Sequence, residues 1–140
     1  MTKLINRIVS ILYLAAMTVI STIMFSIAFA CWLVTAPFSQ RLVTLHYITR
    51  FWAKLLISAM PMWSVKVIRQ SSFDQSRPYI IVSNHQSTLD ILVGFKLPIP
   101  FKWVAKSELF MIPLIGWNMA LNRYISIKRG THGGIKGMLK

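Results

Sequence analysis

The sequence predicts a membrane-anchored α/β protein: a hydrophobic helix, an amphipathic helix at the bilayer surface, and then an incomplete α/β domain. Three observations carry this. No charged side chain occurs from Ile8 to Gln40. Between Leu42 and Trp63, apolar residues recur at every third or fourth position and are interrupted by cations. After Pro61, short apolar runs bounded by turn formers alternate with helix-like stretches, the texture of strands layered with helices. The chain therefore divides into an anchor, residues 1–63, and the front of a folded domain, residues 64–140.

The first element follows from length and polarity. From Ile11 to Ala36 the residues are almost wholly apolar or small, and a bilayer core needs about 20 such residues in a helix. A cleaved signal peptide is the competing reading, with Lys3 and Arg7 as its basic start. The run is longer than the 7 to 15 residues of a signal core, and Ala28-Phe29-Ala30 is a weak cleavage site followed by more apolar sequence. Retention as an anchor is the expectation. Lys3 and Arg7 precede the run and Arg41, Arg50 and Lys54 follow it, so charge alone leaves its orientation open.

In the second element Leu42, Leu45, Ile48, Phe51, Trp52, Leu55, Leu56 and Ala59 recur at spacings of three and four as an apolar stripe, interrupted by Arg41, Arg50 and Lys54. A basic amphipathic helix directly after a membrane helix suits the headgroup level. His46 falls in this helix with no partner pattern around it and is expected to be structural.

Further along, Val65–Arg69 and Tyr79–Ser83 read as strands, Leu89–Phe95 as a helix ended by Leu97-Pro98-Ile99-Pro100, and Phe101–Ala105 as strand-like. Ser107 is expected to cap a short helix through Met111, a second helix can begin at Pro113, and Arg123–Lys128 alternates as a strand. A further helix is expected after Gly133-Gly134, and the 140 residues read as the front part of a longer domain.

Composition narrows the partners. Sixteen Lys and Arg face three acids, a net charge of +13, which suits either nucleic acid or an anionic membrane with phosphate-bearing substrates. Hydrophobic residues reach 55% and the mean hydropathy is +0.57, above an ordinary soluble domain. The cations are dispersed, with no basic block for a nucleic-acid arm. Membrane lipids are the expected partner and nucleic acid is not. Cys31 is the only cysteine and lies in the apolar run, so neither a disulfide within the chain nor a Cys-rich metal site is expected.

The chemistry concentrates in Asn84-His85-Gln86-Ser87-Thr88-Leu89-Asp90. Within one continuous helix, His85 and Asp90 would point about 140° apart and could not meet. With His85 on a loop and Asp90 in the first helical turn, the carboxylate can reach an imidazole nitrogen. A carboxylate that fixes the tautomer leaves the other nitrogen free to take a proton from a hydroxyl. Ser87 and Asp90 are also spaced as a capping box, so a plain helix start competes with the catalytic reading. A serine hydrolase built on Ser87 is disfavoured, because no Gly-x-Ser-x-Gly elbow surrounds it. A metal site is poorer still, with two ligand types five residues apart and few others in the chain.

On these residues the sequence resembles the lysophosphatidic acid acyltransferase family of the PlsC type. Asn84, His85 and Asp90 match its Asn-His-x4-Asp signature. Val104 to Phe110 followed by Pro113-Leu114-Ile115-Gly116-Trp117 matches its second block, and Tyr124 to Arg129 its third, with Gly often standing at the position of Arg123 and Asp at that of Lys128 in other members. The family's Glu-Gly-Thr-Arg block has no counterpart in the 140 residues. The resemblance implies a glycerolipid acyltransferase-like α/β domain that transfers an acyl group from acyl-CoA or acyl carrier protein to the sn-2 hydroxyl of lysophosphatidate, giving phosphatidate. His85 would be the base and Asp90 its orienting partner, with Asn84, Lys106, Lys128 and Arg129 binding the acceptor phosphate. It implies no bound cofactor and no metal, and a catalytic part at the cytoplasmic face of the plasma (inner) membrane. A non-catalytic membrane-surface module, or transfer to another lysophospholipid, is the alternative.

Overall fold

The computed structural model describes residues 2–60, 64–68, 70, 74, 76–87 and 89–128. Helix α1 spans Thr2–Thr35. At 1.5 Å per residue it is about 51 Å long, against about 30 Å of hydrocarbon in a bilayer. Four of its hydroxyl side chains bond back to the helix itself. Thr18, Thr22, Ser26 and Thr35 each donate to the carbonyl four residues back, at 2.8, 2.9, 2.9 and 2.8 Å. No hydroxyl of these four then needs water, which suits a helix immersed in lipid. One face, with Ser21, Met24 and Ala28 at spacings of three and four, is buried against the rest of the chain, while Leu4, Ile8, Leu12, Val19 and Leu33 on other faces are exposed.

The chain then turns through residues 36–42. Leu42 takes a left-handed conformation (φ 51°), its amide donating to Ser39 Oγ, and its side chain is buried. Helix α2, Val43–Ser58, packs its expected stripe on α1: Met24 meets Trp52 and Leu56, and Ala28 meets Leu42 and Leu45. The absence of bulk at Ala28 allows the close approach. Phe51, expected in the same stripe, falls at its edge and is 52% exposed instead. The helix ends at Ser58, short of Trp63, and Pro61–Trp63 lie outside the described residues.

Helix α3 covers Leu89–Gly94. Strand β1, Val104–Lys106, leads into a 3-10 turn at Ser107–Met111, then helix α4, Ile115–Leu121, then strand β2, Ile125–Ile127. The two strands pair in parallel, with Val104 opposite Ile125 and Lys106 opposite Ile127. A second cluster closes this half, in which Ala53 of α2, Phe95 and Tyr124 are buried among Ile91, Phe101, Trp103 and Phe110. Gly116 fits only as glycine, since a Cβ there would collide with the backbone carbonyls of Leu109 and Phe110.

A polar trio ties α2 to α4. Thr49 Oγ1 and Asn118 Oδ1 lie 3.3 Å apart, Asn122 Nδ2 donates to Thr49 Oγ1 at 3.0 Å, and all three side chains are buried. Lys102 adds a 2.6 Å bond from its ammonium to the Asn122 carbonyl. His46, 1% exposed, sits among the rings of Tyr47, Phe95 and Phe101. Burial, followed by the fields of Lys102 and Arg50, lowers its pKa to about 4, so it is neutral and part of the packing.

Three expectations fail. Residues 65–68 and 79–83, expected as strands, belong to no helix or sheet, and Arg69 lies outside the described residues; Ile80 is 95% and Val82 89% exposed. A strand is defined by its neighbour's backbone, which a local apolar run does not supply. Ser107 does not cap the next turn, because its hydroxyl donates to Glu108 Oε2 at 3.0 Å. Helix α4 begins two residues after Pro113, delayed by Leu114 at φ 63°. The helix expected after Gly133-Gly134 lies outside the described residues.

Candidate active site

The irregular segment 79–83 leads into an exposed loop carrying Asn84 and His85, and α3 begins only at Leu89. His85 is therefore outside the helix and Asp90 inside its first turn, the geometry that the 140° argument requires. The corner is closed by one oxygen. Asp90 Oδ2 accepts from the backbone amides of Gln86 and Ser87, both at 2.8 Å, and lies 3.4 Å from His85 Nδ1. Ser87 completes the reciprocal arrangement, its Oγ accepting from the Leu89 amide at 3.2 Å and its carbonyl from the Asp90 amide at 3.0 Å.

The helix cap and the imidazole contact are thus one structure. The two amides hold the Asp90 carboxyl below the usual carboxylate range, the Ser87 amide most and the Gln86 amide next, with a smaller contribution from His85. An ionised carboxylate at Nδ1 favours the tautomer with its proton on Nδ1, leaving Nε2 as the acceptor. At 3.4 Å the contact is longer than a charge-assisted bond, which is common in sites without substrate. His85 and Asp90 side chains are 55% and 40% exposed, so a ligand can reach them. Ser87 Oγ is committed to the cap, which fits no nucleophile.

The expected phosphate-binding residues fall elsewhere. Lys106 ends β1 and Lys128 directly follows β2; because β1 and β2 are parallel and Lys106 pairs with Ile127, both lysines lie at the same, C-terminal end of the sheet. That end is where open α/β sheets bind ligands. Lys106 is engaged by Glu108 at 3.1 Å, and both side chains are exposed. Glu108 is made more acidic first by its own backbone amide and then by Lys106. Asn84 is exposed beside His85. Arg129 lies outside the described residues. Arg123 adopts φ 54°, the conformation that favours glycine, and its guanidinium reaches the Gln40 carbonyl at 3.4 Å. Among the described residues no three His, Cys, Asp or Glu side chains gather as metal ligands.

The backbone amides of Gln86 and Ser87, which fix the carboxylate, were visible in sequence only as the spacing of a capping box. The buried trio was not anticipated. Its signal was Thr49 on an apolar stripe, and Asn118 and Asn122 four apart in a short apolar helix.

A loop histidine, an N-terminal helical carboxylate and a parallel strand pair ending in lysines place the chain in a defined class: it belongs to the acyltransferase family, whose model matches residues 64–140. It is similar to proteins named 1-acyl-sn-glycerol-3-phosphate acyltransferase. One from Chlamydomonas reinhardtii is 38% identical over 98 residues, 69% of this chain and 29% of that protein. A chloroplastic one from Arabidopsis thaliana is 36% identical over 85 residues, 60% of this chain and 23% of that protein. One from Saccharomyces cerevisiae is 42% identical over 59 residues, 41% and 19% respectively. The chain spans less than a third of the length of these relatives. No solved structure matches it.

Proposed function

We propose that this chain supplies the membrane anchor and the general base of an enzyme that acylates the sn-2 hydroxyl of lysophosphatidate, giving phosphatidate. The observation that carries the reading is the His85–Asp90 corner, with Nδ1 facing a carboxylate held by two amides and Nε2 left to the substrate. His85 Nε2 removes the proton from the acceptor hydroxyl as its oxygen attacks the carbonyl carbon of an acyl thioester. The C–S bond breaks, and the imidazolium, stabilised by Asp90, returns the proton to the departing thiolate of coenzyme A or acyl carrier protein. No metal or bound cofactor enters the scheme.

Lys128 and Arg129 hold the acceptor phosphate, with Lys106 and Asn84 adding donors at the rim. The acceptor's single acyl tail remains in the bilayer, which agrees with an anchor directly preceding the domain. The name of the Arabidopsis relative places that protein in the chloroplast, so the cytoplasmic face of a plasma membrane expected from the sequence has no support, and the reading for this chain is membrane association through its apolar helix. The test is His85→Ala in the full-length protein, assayed in membranes with lysophosphatidate and oleoyl-CoA. Phosphatidate formation should vanish while membrane insertion persists, and retained turnover would refute the reading.

A further inference from the structure

The three acids of the chain are all engaged away from the amphipathic helix. Asp74 pairs with Arg77 at 3.1 Å, Glu108 with Lys106, and Asp90 with the corner of the site. Arg50, Lys54 and Lys96 therefore have no carboxylate side chain to balance them, although they gather around one open groove of about 410 Å³ between α2 and the end of α3. Three like charges converging on one concavity repel one another, and an arrangement of this kind calls for an anion.

The floor of that groove is apolar, formed by Ile57, Leu92 and Phe95. Tyr47 and Phe51 form one of its walls and also line a second groove, of about 410 Å³, that runs between α1 and α2 over Met24, Ile27 and Ile48. The second groove carries no charged side chain. Two adjoining concavities, one cationic and one apolar, sharing an aromatic wall beside a lipid-facing helix, match a molecule with an anionic head and a hydrocarbon tail.

We propose that this paired groove is a discrete binding site for an anionic phospholipid of the bilayer, its phosphate held by Arg50, Lys54 and Lys96 and one acyl chain lying along Met24, Ile27 and Ile48. The occupant is a bilayer lipid because the apolar groove adjoins the exposed, hydrocarbon-facing surface of α1, where only a membrane component keeps its chain. Neither His85 nor Asp90 lines either groove, so the site is separate from the acyl-transfer corner. Leu92 belongs to α3, with Phe95 and Lys96 just beyond its end, and Asp90 sits at its start, so an occupied groove braces the helix that orients the base.

The test is calorimetric titration of the full-length protein in maltoside micelles with dioctanoyl phosphatidylglycerol, dioctanoyl phosphatidylcholine and inorganic phosphate. Phosphatidylglycerol should bind saturably at one site, with phosphatidylcholine and inorganic phosphate each at least tenfold weaker. At about 1 kcal/mol per cation, the combined Arg50→Gln, Lys54→Gln and Lys96→Gln variant should lose affinity on the order of a hundredfold. If that variant does not fold, Lys96→Gln alone should lose about fivefold. Phe51→Ala should weaken the lipid and leave inorganic phosphate unchanged. The proposal is overturned if phosphatidylcholine matches phosphatidylglycerol, if the neutralised variants bind as the parent does, or if inorganic phosphate binds as tightly as the lipid. It is also overturned if oleoyl-CoA or lysophosphatidate displaces the lipid competitively, which would make the groove a substrate site. Lipid binding that survives His85→Ala separates this site from the catalytic reading, and either can fail alone.

Discussion

The junction of α1, α2 and α4 and the corner at residues 79–90 are held together in opposite ways. At the junction Ala28, Leu45 and Asn122 are 0% exposed, and contacts join residues dozens of positions apart, as Thr49 does with Asn118 and Asn122. At the corner, the approach segment leaves Ile80 and Val82 open, and the amides that hold the Asp90 carboxylate belong to Gln86 and Ser87, only four and three residues before it. The lesson is that stability and chemistry are carried by different parts of the chain. Tertiary packing builds the platform, whereas His85, the proposed base, and the Asp90 carboxylate are brought together by backbone amides nearby in sequence.

That contrast breaks most sharply at Asp90. Asp90→Asn keeps the size of the side chain but removes the charge that fixes the imidazole tautomer, and an initial-rate assay of the full-length protein should show activity falling by roughly 10³ to 10⁴-fold. Stability should fall only slightly, as for the loss of one solvent-exposed helix cap. Asn122→Leu does the reverse: it strips the hub of the buried trio, and thermal unfolding in micelles should show a loss of about 3 kcal/mol. The Gln86 and Ser87 amides should stay as they are in its NMR spectrum. An equal effect of both variants on both measurements would mean that the two regions are one.

Smaller effects sharpen the junction side. Gly116→Ala must displace backbone rather than a flexible side chain and should cost about 2 kcal/mol in the same unfolding assay. His46 gives a pH signature. Its folded pKa of about 4 lies below the ordinary 6.5, so between those values the unfolded chain binds the proton and the folded one does not. Stability should therefore decline as pH falls from 6.5 toward 4. His46→Phe should remove on the order of 2 kcal/mol of that decline when the two unfolding profiles are subtracted. Asp90 works in another window: its folded pKa is depressed, so its contribution is present above the usual carboxylate value of 3.8 and is lost as pH falls through the lower, folded one.

How far the sequence revealed this follows from the range of the forces involved. The long apolar helix α1 was legible because an uncharged run from Ile8 to Gln40 needs no partner to declare itself, and α2 because most of its stripe repeats at helical spacing. The corner was legible because Ser87 and Asp90 make a local motif. Strands at 65–69 and 79–83 were misread because pairing depends on backbone from elsewhere in the chain. Leu42 and Leu114 give no hint of their positive φ, which their surroundings impose, whereas at Arg123 the glycine frequent in the resembled family was its one sign. The trio escaped because a lone threonine or asparagine on an apolar face looks incidental until its partners are brought to it.

One carboxylate oxygen both starts α3 and steers the imidazole. The frayed state of that helix end and the disarmed state of the base are consequently the same state. Slow deuterium uptake at the Gln86 and Ser87 amides would then gauge how large a fraction of the molecules is ready for proton transfer, with no acyl donor or acceptor present, and anything that speeds it should lower turnover in proportion.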